Sequence, residues 1–157
     1  MAIRLIGASV VALAVGLWVL PAAAQYDYGT PPASPTPAAG SQADRAERQL
    51  RTAIQHSKEL AAGAAALSGI QTHLQHVVNC LEGSGGRNFK AAAGHPCQGM
   101  GNGFLNDARD KPGAVLLARH ANELAVDLVT GRIDVATGQA GARAVAATLE
   151  EAMKLLR

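Results

Sequence analysis

Five histidines and two cysteines carry most of the chemistry that this chain of 157 residues can offer. Three of the histidines, His73, His76 and His95, share one stretch of 25 residues with both cysteines, Cys80 and Cys97. His73, His76 and Cys80 read H-x-x-H-x-x-x-C. On a helix turning about 100° per residue they stand near about 0°, 300° and 340°, inside one sector of about 60°. The apolar stripe of Ile70, Leu74, Val77 and Leu81 is centred near about 70°, so the His/Cys sector borders the core face.

Imidazoles three residues apart on a helix can chelate one ion, and His, Cys and Met suit zinc and copper. The expected metal ligands are His73 and His76, with His95 arriving from the following loop as the third. Reduced thiols would add Cys80 and Cys97, and Met100 is a further soft donor. The alternative is that these histidines are ordinary border residues. His120, on a later helix, is expected at a core border, with a fifth-ligand role as its alternative. His56 is expected to face solvent.

The thiol state depends on the compartment. Arg4, the uncharged apolar run Leu5 to Leu20, Pro21 and Ala22-Ala23-Ala24 form a secretory leader over residues 1–24. The run is 16 residues, short of the roughly 20 that span a bilayer as a helix, so no membrane span is expected in the mature form. In an exported, periplasmic or secreted protein an even pair of cysteines is most simply a disulfide. Closing the Cys80–Cys97 loop would stabilise the fold by about 3 kcal/mol in the chain-entropy account. Residues 25–40, with Pro31, Pro32, Pro35 and Pro37, read as an extended, disordered Pro-rich tether. A Pro-recognising protein partner is a secondary expectation for it.

The elements that must position these side chains are helices. From Ser41 the apolar or small positions Leu50, Ile54, Ser57, Leu60, Ala64, Leu67, Ile70, Leu74, Val77 and Leu81 recur at steps of 3 and 4. Ser41 or Asp44 caps the start, with Glu47 completing a capping box after Asp44, and Gly83 ends the run. A single helix here would be about 60 Å long. Two helices, or one bent near Ser68-Gly69, fit a compact domain better. Gly83 to Gly103 is a loop with glycine at 7 of its 21 positions. Such a long loop implies function or a covalent staple. Leu117, Ala121, Leu124 and Leu128 form the next stripe. Asp134 then opens a last helix with Ala142, Val145, Leu149, Ala152 and Leu156 inward. The short Thr130-Gly131-Arg132 link makes these two antiparallel neighbours. The expected fold is all-α: a bundle of three or four helices over residues 41–157, with a long Gly-rich, disulfide-pinned loop.

The segment from Thr72 to Gly83, followed by Gly94-His95-Pro96-Cys97 and Gly99-Met100-Gly101-Asn102-Gly103, resembles small uncharacterised exported bacterial helical proteins. They share an H-x-x-H-x-x-N-C-L-x-G…P-C-x-x-x-G-x-G arrangement. The resemblance covers about a third of the mature chain and implies an exported helical domain, with no activity attached.

Several functions are excluded or disfavoured. Lys+Arg is 14 and Asp+Glu is 12; without Arg4 the balance is 13 against 12, too even for a nucleic-acid binder that works by bulk charge. No C-x-x-C-H is present, which argues against covalent c-type haem. No strand precedes the Gly99–Gly103 run, so it is not a dinucleotide fingerprint. No G-x-S-x-G elbow occurs, and Glu150-Glu151 reads as a solvated face. The chain is therefore expected to be no enzyme. It is expected to bind or handle copper or zinc, with a disulfide-stabilised interaction module as the alternative.

Overall fold

The computed structural model describes residues 40–156. The leader expected over 1–24, and all but the last residue of the tether expected over 25–40, lie outside the described residues. Five α-helices and no strand occur among those described: α1 (Gln42–Gln55), α2 (Leu67–Glu82), α3 (Phe104–Asp107), α4 (Pro112–Thr130) and α5 (Val135–Lys154). The four long ones form a bundle in the cyclic order α1, α2, α4, α5. The all-α bundle expectation holds, with four long helices.

Helix α1 starts where the Ser41 hydroxyl accepts from the Asp44 N–H at 3.1 Å and the Asp44 carboxylate accepts from the Ser41 N–H at 2.9 Å. Both residues take part in one capping box, so Glu47 is not needed for it. After Gln55 the helix widens into a π-helical turn, His56–Ala61. Ala62 N–H donates to the Ser57 carbonyl at 3.1 Å, five residues back. The Ser57 hydroxyl lies 3.0 Å from the carbonyls of both Ala53 and Ile54 and can donate to either. A π turn takes more residues than an α turn. Burial therefore runs Ala53, Ser57, Ala61, while Leu60, expected inside, is 37% exposed.

The chain breaks at Ala62–Ala66, before the expected bend at Ser68-Gly69. Ala66 takes an extended conformation, φ −116° and ψ 142°, and caps α2. Gly69 lies inside α2, and a Cβ there would sit 3.3 Å from Ala64 Cβ. Its small size lets the connecting turn fold back onto the helix. Residues 41–82 thus make two antiparallel helices joined by a short turn.

Gly83 ends α2 with φ +73°, a left-handed conformation that glycine adopts without strain. The Gly-rich loop then returns across the last turns of α2. The Cys80–Cys97 disulfide pins it, with Cα atoms 5.2 Å apart and both residues buried. A buried polar row on α2, Gln75, Asn79 and Glu82, binds the loop backbone at spacings of four and three. Gln75 donates to the Asn88 carbonyl at 2.9 Å, and the Glu82 carboxylate accepts from the Asn88 N–H and side-chain amide, both at 2.7 Å. The Asn122 amide of α4 also donates to Glu82, at 2.7 Å.

Asp134 caps α5, accepting from the Thr137 N–H at 2.7 Å. The inner face of α4 is an alanine row, Ala114, Ala118, Ala121 and Ala125, closed by Leu128. Leu117 and Leu124, expected on that stripe, flank it half-buried. Gly138 lies against Ile70, and a Cβ on Gly141 would fall 2.5 Å from a Leu128 methyl, which would have to move. Small residues on both sides let the axes approach, which is how a domain with so few aromatics fills its core.

Candidate metal centre

Three imidazoles meet between α1 and α2: His73 and His76 of α2, and His56, the first residue of the π turn. His56 Nδ1 stands 3.2 Å from His76 Nδ1 and 3.4 Å from His73 Nδ1. One ligand nitrogen from each of the three lies within 4.8 Å of the others. Two nitrogens bound to one ion at about 2.0–2.1 Å are about 3.3–3.4 Å apart in a tetrahedral site and about 3.5–3.6 Å in a trigonal one. The two contacts therefore have the spacing of ligands around a shared ion. All three residues are half-buried. The ring centroids are 4.8–5.5 Å apart, with His76 edge-on to both neighbours.

The loop sets the tautomer of His76. Its Nε2 contacts the Ala93 carbonyl, which can only accept, so Nε2 carries the proton and donates. In the neutral ring the Nδ1 lone pair is then left facing the other two histidines. Metal-bound histidines commonly direct their second N–H to a backbone carbonyl in this way. Ala93 closes a 3-10 turn, Ala91–Ala93, and Gly94 follows at φ +94°. A Cβ on Gly94 would lie 3.2 Å from His76 Nε2, so both the conformation and the close approach call for glycine. Asn79 anchors this turn on both sides. Its amide donates to the carbonyls of Lys90 at 2.9 Å and Gly94 at 2.6 Å, and its oxygen accepts from the Lys90 N–H at 2.9 Å.

The electrostatics favour uncharged rings at His56 and His73. Burial lowers the His56 pKa from 6.5 to about 4, helped by the adjacent His76 and His73. Burial, then His76, also holds His73 below the ordinary imidazole range. A proton on one ring would be half-desolvated and would repel charge on its neighbours. A metal ion at the centre instead receives three lone pairs at once.

The structure departs from the expected ligand set in its third member. His95 is not in this group: its ring packs edge to face on Phe89, with centroids 5.1 Å apart, and its buried Nδ1 has no hydrogen-bond partner. Burial lowers its pKa as well. The loop supplies a carbonyl to His76 where an imidazole ligand was expected. His56, expected to face solvent, takes the third place. His120 is exposed on α4. The Met100 sulfur lies 3.8 Å from the Thr52 hydroxyl, which donates to the Arg48 carbonyl at 3.0 Å, and both cysteines are consumed in the disulfide.

The signal for His56 was the position of the break. In an antiparallel helix pair, residues equidistant from the connecting turn face each other. His56 and His73 are 17 apart and centred on the Ala62–Ala66 break. A bend placed at Ser68-Gly69 would instead set residues 56 and 81 opposite each other. No family model, curated protein or solved structure matches the chain.

Proposed function

We propose that this is an exported protein that binds one copper or zinc ion through His56, His73 and His76. The observation that carries the reading is the convergence of three ring nitrogens at ligand spacing, with the second nitrogen of His76 engaged by Ala93. Export is supported by the leader read in residues 1–24 and by the disulfide, which suits an oxidising compartment. None of the described helices is long and apolar enough to cross a membrane. The proposed role is to hold or hand over the ion, not to turn over a substrate.

In this reading the fold divides its work. The helix pair brings the donors together, and the π turn presents His56. The disulfide and Asn79 keep the loop carbonyl over His76. Titration calorimetry of the mature protein with copper and zinc tests it. Binding of at least one of the two ions at one per chain, tighter than roughly micromolar (about −8 kcal/mol), is expected. It should be lost in the His56→Ala and His73→Ala variants and kept in His120→Ala. Binding weaker than that, or unchanged in the variants, would leave the histidines as ordinary packing residues.

A further inference from the structure

The donor set points beyond "copper or zinc". Resting on the metal-binding reading, we infer that the triad is built for monovalent copper, held by three nitrogens without a fourth protein ligand. Two independent features select this ion.

The first is the number of donors. Among the described residues no Cys, Asp or Glu joins His56, His73 and His76 in the group. The other histidine and the cysteines of this region lie outside the group. Cys80 and Cys97 are bonded to each other, and the His95 ring packs on Phe89, outside the group. The Ala93 carbonyl is held by His76. Zinc in protein sites takes four ligands and would have to complete its shell with water or an added anion. Cuprous copper has a filled d shell and is satisfied by three nitrogens in a plane.

The second is charge. Neutral imidazoles leave the whole charge of the ion uncompensated in a half-buried site. The cost of moving an ion out of water grows with the square of its charge, so a divalent ion is penalised about four times as heavily as a monovalent one. Structural zinc sites and calcium sites meet this cost with thiolate or carboxylate ligands, and a zinc held by three imidazoles keeps a water in its fourth position. Glu59, three residues past His56, is exposed and outside the group. Lys58 is paired with Glu150 of α5 at 2.7 Å.

The test compares two ions on one disulfide-intact mature protein. Cuprous affinity is measured without oxygen against bicinchoninate, and zinc affinity against a fluorescent zinc chelator. Cuprous copper should bind at least about a hundredfold more tightly than zinc. X-ray absorption of the copper form should show three nitrogen neighbours and no sulfur. His56→Ala should weaken cuprous binding at least about tenfold, while His120→Ala leaves it unchanged. Zinc binding as tight as copper, or a four-coordinate copper spectrum, would overturn the cuprous assignment and leave the metal site standing. Failure of both ions to bind, or full cuprous affinity in His56→Ala, would remove the triad itself.

Discussion

His76 joins the candidate site to the loop: one ring nitrogen faces His56, and the other is held by Ala93. Sequence spacing alone identified His73 and His76, because a separation of three places two side chains on one helix face. It did not identify His56, whose partnership depends on a turn and a π segment that no residue pattern announces. It also misplaced His95, because a histidine beside a glycine next to the site is not itself in the site. The low pKa of His56 gives a prediction at this scale. Above pH 6.5 its imidazole is neutral both folded and unfolded, and contributes no pH dependence. Between 6.5 and about 4 the unfolded chain takes a proton that folded His56 refuses, so acid favours unfolding. His73 acts in the same direction. The metal-free protein should lose thermal stability as pH falls from 6.5 toward 4. The His56→Gln variant, lacking that group, should show a shallower loss by circular dichroism. An identical slope would mean that His56 titrates normally.

Among the elements, helix α2 and the loop that crosses it form the working unit. Periodicity located α2 well, because Ile70, Leu74, Val77 and Leu81 repeat without interruption and Gly83 stops the run. The buried polar row Gln75–Asn79–Glu82 was not legible. Polar residues at helical spacing ordinarily signify a solvated face, and only the returning loop makes them internal. On α4 the Ala-rich character was legible, but the stripe was drawn through Leu117 and Leu124, whereas the buried row is Ala114, Ala118, Ala121 and Ala125. Asn79 makes the sharpest test of this unit. Replacing it with Ala removes three hydrogen bonds to the loop backbone and leaves buried groups unpaired, at about 1–3 kcal/mol for each group left unsatisfied. Asn79→Ala should lower the melting temperature. It should also weaken metal binding by about 10- to 100-fold through the loosened Ala93 carbonyl, although the Asn79 hydrogen bonds go to Gln75, Lys90 and Gly94 and not to the triad. Unaltered affinity in a folded Asn79→Ala protein would show that the carbonyl does not position His76.

For the molecule as a whole, export was expected from the leader, an all-α core from the helix-period stripes, and a disulfide from export and the even cysteine count. The described residues contain the last two. A small core rich in alanine buries less apolar surface per residue than one built on aromatics, so the 17-residue disulfide loop matters to the total. Reducing it should cost about 3 kcal/mol, read as a lower melting temperature in reductant. The same treatment should weaken metal binding, because the freed loop no longer holds Ala93. A reduced protein with unchanged stability would contradict the role given to the staple. The most direct test of the central claim is the anomalous-scattering map of a crystal soaked in copper. The account predicts one peak per chain, about 2 Å from a nitrogen of each of His56, His73 and His76. A map with no peak between these rings, or with its only peak at His95 or His120, would contradict it.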